Sequence, residues 1–328
     1  RPSLLARVPG HGIGRSLALY AHADTVGLGE PVDALTPRRV DGRLHGRGAY
    51  DMKGSLAALL RVLEGAALNP LDGDLWLMLV ADEECDSLGV EAVLAELARR
   101  GVRPAGCLVA EPSDLRVMVG HRGFATGRLE TFGRAAHTAR RDEGVDAIAM
   151  MARLVSGLED LDARMNAGPG DPLLGHAAVV VSRLQGGSEL FTYPDHCTAE
   201  FVWRMLPGER QTAVTAAIRE RFEALRARDP RFSAQLTWQR WREPLRCDPA
   251  DPLVQTLCAC AAGALGAAPL VAGAPWWTDA ALIQAAGIPA VIFGPCGGGI
   301  HGDDEWVDLE SLATFERIVA DLARSFCR

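Results

Sequence analysis

Leu17-Ala18-Leu19-Tyr20-Ala21-His22-Ala23-Asp24 is the stretch on which the reading of this chain turns. Its first four residues have the apolar character of a short buried strand, and the strand delivers His22 and Asp24 at its C-terminal end. Residues two apart in an extended segment point to the same side, so imidazole and carboxylate leave together. A carboxylate beside a histidine can hold the ring through its second nitrogen and raise its basicity, as it does for metal-binding histidines. Alone, His-x-Asp equally describes a hydrogen-bonded histidine at a strand end. The sequence that follows decides between the two.

Downstream, Leu56, Leu59, Leu60 and Leu63 mark a helix face beginning just after Gly54. LWLMLVA (75–81) is a continuous apolar run of strand length, as expected of a strand buried on both faces. Val90, Val93, Leu94 and Leu97 predict the next helix, and CLVA (107–110) the next strand. This βαβ rhythm implies a parallel sheet covered by helices. Such sheets gather their functional groups beyond the C-terminal ends of the strands. His22, Glu83, Glu84 and Glu111 each stand just after an apolar strand, which is the strongest physical signal in the sequence.

From about residue 115 to 241 the texture changes. GRLET (127–131) reads as a strand, and Val145, Ile148, Met151, Ala152 and Val155 as one helix face. AAVVVSR (177–183) and TAEFVWR (198–204) read as strands, Val214, Ile218 and Leu225 as a second helix, and SAQLTW (233–238) as a last strand. The order βαββαβ is that of a ferredoxin-like α+β sandwich. Few acids occupy its strand ends, so it is expected to be an insertion at 116–241 between the two parts, 1–115 and 242–328, of an α/β domain. After 242 come a helix (253–265), the strand AVIF (290–293), His301 and a helix (309–326). The glycine run 297–299 reads as a loop, since no strand–GxGxxG–helix context surrounds it.

A chain of 328 residues exceeds one typical core, so two domains are expected. Its net charge of -8 and lack of a basic cluster argue against nucleic acid as a partner. No stretch approaches the roughly 20 apolar residues that span a bilayer, and RPSLLARVPG has no signal-peptide apolar core. Eight cysteines are scattered without paired spacing, which fits a reduced compartment. Cys258 and Cys260 fall within a helical pattern and read as core. The expectation is a cytoplasmic protein with no membrane partner.

The strand-end and loop candidates are His22, Asp51, Glu83, Glu84, Glu111 and His301. Two histidines and several carboxylates, with no cysteine, are the ligand set of a hydrolytic dinuclear site of zinc, or of cobalt or manganese. Two divalent ions held close together need an acid between them, and each needs a nitrogen and an oxygen ligand besides. Five groups complete the pair. One of the two adjacent glutamates is then left over as the base that hydrolysis requires.

At these residues the chain resembles the M20 metallopeptidase family, which includes acetylornithine deacetylase, succinyl-diaminopimelate desuccinylase, aminoacylases and glutamate carboxypeptidase. The motifs that carry the resemblance are His22-Ala23-Asp24-Thr25-Val26, Gly46-Arg47-Gly48-Ala49-Tyr50-Asp51-Met52-Lys53-Gly54, Asp82-Glu83-Glu84 and Glu111-Pro112-Ser113. Near the end, Gly294-Pro295 leads to His301 and Asp304-Glu305. They occur in family order and run nearly end to end.

The resemblance implies an α/β fold: a mostly parallel-sheet zinc-hydrolase catalytic domain with an inserted ferredoxin-like lid and dimerisation domain. It implies that Asp51 bridges two metal ions, that His22 and Glu111 complete one ion, and that Glu84 and His301 complete the other. Glu83 becomes the general base, and Asp24 orients His22. A cis peptide is expected at Asp51–Met52. Gly133-Arg134-Ala135-Ala136-His137 resembles the lid motif whose histidine reaches a neighbouring subunit's site, which implies a homodimer and a His137 that stabilises the oxyanion. Arg204, in Phe201-Val202-Trp203-Arg204-Met205, matches an arginine that binds the substrate carboxylate, a task suited to a bidentate fork. Trp277-Thr278-Asp279 resembles a segment near the substrate. The expected reaction is amide hydrolysis of an N-acyl amino acid, as in acetylornithine deacetylase, or, on the same metals, of a peptide bond.

Three features depart from the family pattern. Only 16 residues precede Leu17, where relatives carry a helical segment. The loop after Val26 is short and lacks the proline that often follows. Phe191-Thr192-Tyr193-Pro194 stands where relatives have Asn before Val-x-Pro, in the substrate-facing lid. Histidines 11, 45, 121, 176 and 196 have no acid at useful spacing and are read as structural.

Overall fold

The computed structural model describes residues 2–29 and 33–328. It divides into two compact units, Arg1–His121 with Leu245–Arg328, and Arg122–Pro244.

In the first unit, four parallel strands lie side by side in the order Leu75–Val80, Leu17–His22, Gly106–Val109 and Ala290–Ile292. Leu17–His22 is buried along its whole length, which is why its sequence is a run and not an alternation. Antiparallel strands flank these four. Leu4–Val8 pairs with Leu75–Val80 at one edge, and Val117–His121 pairs with Ala290–Ile292 at the other. The sequence reading missed both. Leu17 begins the second strand, not the first, and Val117–His121 belongs to the large sheet, so the insertion starts at Arg122 and not at 116. All five residues of VMVGH are buried, which is the signature of a central strand.

Two groups of helices pack on this unit. Gly54–Leu68, Pro252–Leu265 and Leu309–Phe326 pack together, while Leu88–Arg99 packs with Ala280–Ala285. Two of them start on side-chain caps: Asp251 accepts from Leu253 N–H with Pro252 in the first turn, and Asp308 accepts from Ser311 N–H. Phe315, Ile318, Val319, Leu322 and Phe326 recur at helical spacing and form the buried face of the last helix. On Gly54–Leu68 the buried face includes Leu59 and Leu63 as expected, whereas Leu60 is exposed.

A small antiparallel sheet, Gly297–Gly298, Trp306–Asp308, Arg43–His45 and Arg38–Val40, completes the unit. The glycine run is therefore partly strand, contrary to its reading as a loop. Glycine is required by close approach: a Cβ on Gly297 would meet the Tyr50 ring at 2.4 Å, and one on Gly298 would meet the Trp306 indole at 2.9 Å. This sheet is what carries the His301 segment toward the turn that holds Asp51.

The second unit has the order Gly123–Phe132, helix Ala147–Asn166, Ala178–Gly186, His196–Met205, helix Gln211–Arg228, Ala234–Arg242. Its antiparallel sheet runs Ala234–Arg242, Gly123–Phe132, His196–Met205, Ala178–Gly186, the ferredoxin-like arrangement. Burial alternates strictly along Gly123–Phe132, so one face, with Ala125 and Leu129, joins Phe201 and Trp203 in a core closed by the helices. The first helix is rotated from the expected face. Met150, Met151, Leu154 and Leu158 are buried, while Ile148 is exposed.

Candidate metal centre

All six candidate groups lie in the first unit, on segments that leave the C-terminal ends of the parallel strands or the small sheet. His22 ends its strand wholly buried. Glu83 and Glu84 follow Leu75–Val80, and Glu111 follows Gly106–Val109. Asp51 comes from an irregular turn over Ala49–Lys53 in which the Asp51–Met52 peptide is cis, as expected. His301 comes from the loop before Trp306–Asp308, in the left-handed region at φ 59 and half exposed.

Their side chains converge. Asp51 Oδ1 is 3.0 Å from His22 Nε2, and Asp51 Oδ2 is 3.2 Å from His301 Nε2. One carboxylate thus presents one oxygen to each of two histidines, the disposition a bridging ligand needs. Glu111 Oε1 lies 3.7 Å from His22 Nε2, and Glu84 Oε2 lies 3.2 Å from His301 Nε2. Asp51 therefore has an imidazole and a second carboxylate on either side. Ligand atoms of His22, Asp51 and Glu84 fall within 4.8 Å of one another, as do those of His22, Glu83 and Glu111. Behind His22, the Asp24 carbonyl oxygen is 3.1 Å and its carboxylate oxygen 3.6 Å from Nδ1, and that carboxylate accepts from Glu84 N–H at 3.2 Å.

The electrostatics of this cluster call for positive charge. Burial, reinforced by Asp51, raises the carboxyl groups of Glu84 and Glu111. Burial foremost, then the charges of Asp279, Glu84 and Asp51, push Glu83 up to about 8 against the opposing pull of His22. Burial opposes protonation of His22, yet its bonds to Asp24 and Asp51 outweigh that and raise it. Burial likewise opposes ionisation of Asp51, and the two histidines overcome it and lower it. The buried Oε1 of Glu111 has no hydrogen-bond partner. A buried acceptor without a donor is costly, and a cation ligated there would satisfy it. The donor set of two imidazoles and two carboxylates around one shared acid fits a pair of divalent ions.

The other expected residues are not among the converging ligand atoms. Thr278 and Asp279 are fully buried, and Asp279 Oδ2 accepts from the Tyr20 hydroxyl at 2.5 Å. Thr278 N–H donates to His121 Nε2 at 3.3 Å. In the second unit, His137 is exposed, and its Nδ1 accepts from Ala139 N–H at 3.1 Å, which leaves Nε2 to carry the proton. Arg204 is exposed, with its guanidinium 5.6 Å from the Phe124 ring centroid. Two histidines read as lacking acid partners have them: His45 Nδ1 is 2.9 Å from Asp304, and His196 Nε2 is 3.1 Å from Glu130. Both acids are distant in sequence, which is why spacing did not show them.

Sequence reasoning also missed Tyr20, Arg47 and Glu305. Glu305 stands in a quoted motif, but an acid following a metal-site histidine carries no sign of which backbone it will meet.

Acids this crowded, parted by a carboxylate that faces two histidines, define the site of a metal-dependent hydrolase that holds two divalent ions. Residues 18–325 match the model of peptidase family M20/M25/M40, and the chain belongs to that family. It is 31% identical over 338 residues to an acetylornithine deacetylase of Myxococcus xanthus, covering 99% of this chain and 84% of the relative. Its fold resembles that of the aminopeptidase PepT from Bacillus cereus, with a TM-score of 0.81 at 21% identity over 99% of this chain and 85% of that one. It also resembles the Bacillus subtilis YXEP protein, described as a dinuclear metal binding peptidase, with a TM-score of 0.75 at 20% identity over 99% and 85% of the two chains.

No disulfide forms among the described residues. Among the described residues, no helix is long and apolar enough to cross a membrane.

Proposed function

We propose that this protein hydrolyses the amide bond of an N-acyl amino acid, releasing the acyl group as a carboxylate, in the manner of an acetylornithine deacetylase. The observation that carries this reading is the placement of Asp51 between His22 and His301 with Glu83 beside the same cluster. When bound, two divalent ions supply the positive charge that acidifies water and polarises the amide carbonyl. His22 and Glu111 would hold one, His301 and Glu84 the other, and Asp51 would be shared by both. Zinc suits these donors best.

Glu83 takes the proton of the attacking water and delivers it to the nitrogen of the leaving amine. Its partial exposure leaves it open to substrate. Asp24 keeps the His22 ring turned so that Nε2 faces Asp51. The Nε2–H of His137 donates to the oxyanion, and Arg204 pairs with the substrate carboxylate; both roles rest on the family resemblance. Thr278 and Asp279 act from beneath, through His121 and Tyr20, not by touching substrate. The protein works in the cytoplasm as a homodimer formed through its second unit.

The test counts bound metal by plasma mass spectrometry in protein purified without chelator. N-acetyl and N-succinyl amino acids and dipeptides are assayed with the wild type and Glu83→Gln. The reading expects about two ions per chain, with hydrolysis falling by about 10²–10⁴-fold in the variant while metal stays bound. Cleavage of dipeptides alone would favour the peptidase activity of the same site. A folded protein that takes up no metal when supplied with zinc ends the assignment.

A further inference from the structure

We propose that Glu305 is a positioning residue whose buried carboxylate locks the turn carrying Asp51 to the loop carrying His301, and so sets the spacing of the metal ligands. This rests on the dinuclear reading above. Asp51 and His301 come from segments 250 residues apart, so no local structure fixes one against the other. Two ions sharing Asp51 require both its oxygens and His301 Nε2 to be held within tenths of an ångström.

Glu305 supplies that support through four donors. Its Oε1 accepts from the backbone N–H of Tyr50 and of Asp51 itself, each at 2.9 Å. Its Oε2 accepts from Gly48 N–H at 2.7 Å and from Arg47 Nη1 at 3.0 Å. Three amides of one turn thus converge on one anion, a nest of the kind that binds anionic ligands, here filled by the chain's own side chain. Gly48 enters the nest at φ 80, a conformation glycine adopts without strain. The Glu305 carbonyl adds a fifth tie by accepting from Gly46 N–H at 3.0 Å.

Arg47 makes the buried anion tolerable. The side chains of this ion pair are 3% and 2% exposed, and Arg47 Nε also donates to the Gly27 carbonyl at 3.2 Å. Three residues separate Glu305 from His301, and the intervening loop is short enough that fixing Glu305 fixes where His301 starts. A glutamine here keeps the size but has one acceptor oxygen. Whichever way it is turned, its amide hydrogens would face two of the four donors, and the turn under Asp51 would have to shift.

The experiment titrates metal-free wild type, Glu305→Gln and Asp251→Ala with zinc against a fluorescent chelator, with thermal unfolding of each in parallel. Asp251 caps the helix Pro252–Leu265 through Leu253 N–H, so its loss lowers Tm without touching the metal centre. The inference expects Glu305→Gln to bind zinc about 10–100-fold more weakly, the usual cost of removing a group that orients ligands. Asp251→Ala is expected to keep wild-type affinity. Should Glu305→Gln fail to fold, Glu305→Asp, which keeps the charge but withdraws it by one methylene, is expected to weaken binding in the same sense. Wild-type zinc affinity in a folded Glu305 variant overturns the inference alone, as does an equal loss in Asp251→Ala. A wild type that binds no zinc removes the dinuclear reading and this inference with it.

Discussion

His301 Nε2 and Asp51 Oδ2 stand 3.2 Å apart across 250 residues of sequence. The small antiparallel sheet makes the meeting possible, because Trp306–Asp308 pairs with Arg43–His45 and draws the two loops that follow and precede them together. The far half of the metal centre therefore depends on tertiary pairing, while the near half, at His22, depends on a strand end. The two halves should fail differently.

Replacing His301 by Ala removes the imidazole that faces Asp51 Oδ2. The bound metal is expected to fall from about two ions to about one, and amide hydrolysis by roughly 100-fold or more, since each ion stabilises the transition state by several kcal/mol. Metal analysis and initial rates on the same preparation check this. Two ions retained at full occupancy would mean that His301 is not a ligand.

Asp24 acts through His22. Although burial works against ionisation, the hydrogen bond to His22 lowers its carboxyl to about 2. Asp24→Asn keeps the shape and removes the charge that holds the ring and receives Glu84 N–H. Zinc affinity should drop about 10–100-fold, with little change in Tm of the metal-free protein. Competition titration measures it, and an unchanged affinity would show that the backbone carbonyl of Asp24 suffices.

A pH effect on stability is expected from Asp74. Burial opposes ionisation there, but the two bonds from Arg7 and the Gly10 amide outweigh it and lower the carboxyl below its ordinary value. A depressed carboxyl stabilises the folded state above the unfolded value of about 3.9, and that contribution is lost as pH falls through the folded value. Asp74→Asn should cost about 1 kcal/mol or less at pH 7, since Arg7 is half exposed. The gap between variant and wild type in denaturant titrations should narrow as pH falls below about 4 and close once the folded carboxyl is itself protonated. A gap that does not narrow over that range would point to lost packing.

Phe201 is buried in the core of the second unit, edge-on to Trp238 with ring centroids 5.4 Å apart. Phe201→Ala should destabilise by about 3–5 kcal/mol, through lost transfer energy and the cavity left behind. Denaturant unfolding followed by tryptophan fluorescence reads it directly, because Trp238 reports on this core. A loss under about 1 kcal/mol would mean that the core collapses around the gap.

The parallel strands were legible because burial on both faces leaves an apolar run with no alternation, as in Leu75–Val80. The edge strand Leu4–Val8 was not, since its mixed burial gives neither a run nor a clean period of two. The short strands Arg38–Val40 and Arg43–His45 are mostly polar and exposed, and they exist as strands only because Trp306–Asp308 pairs beside them. Ile148 and Met150 show the limit of helical periodicity: neighbouring apolar residues allow two faces, and packing against the sheet picks one.

By itself, the sequence determined which side chains could hold metal and move a proton. His22, Asp51, Glu83, Glu84, Glu111 and His301 are the right chemical types at strand ends or in family motifs, and ligand chemistry depends on the type of atom offered. Tertiary structure alone decided that Asp51 turns one oxygen to each histidine, that Asp279 is buried against the Tyr20 hydroxyl, and that Glu305 reaches the amides of Gly48, Tyr50 and Asp51. Those facts depend on distances between segments hundreds of residues apart, and such distances are set by strand pairing and packing, which no local pattern encodes.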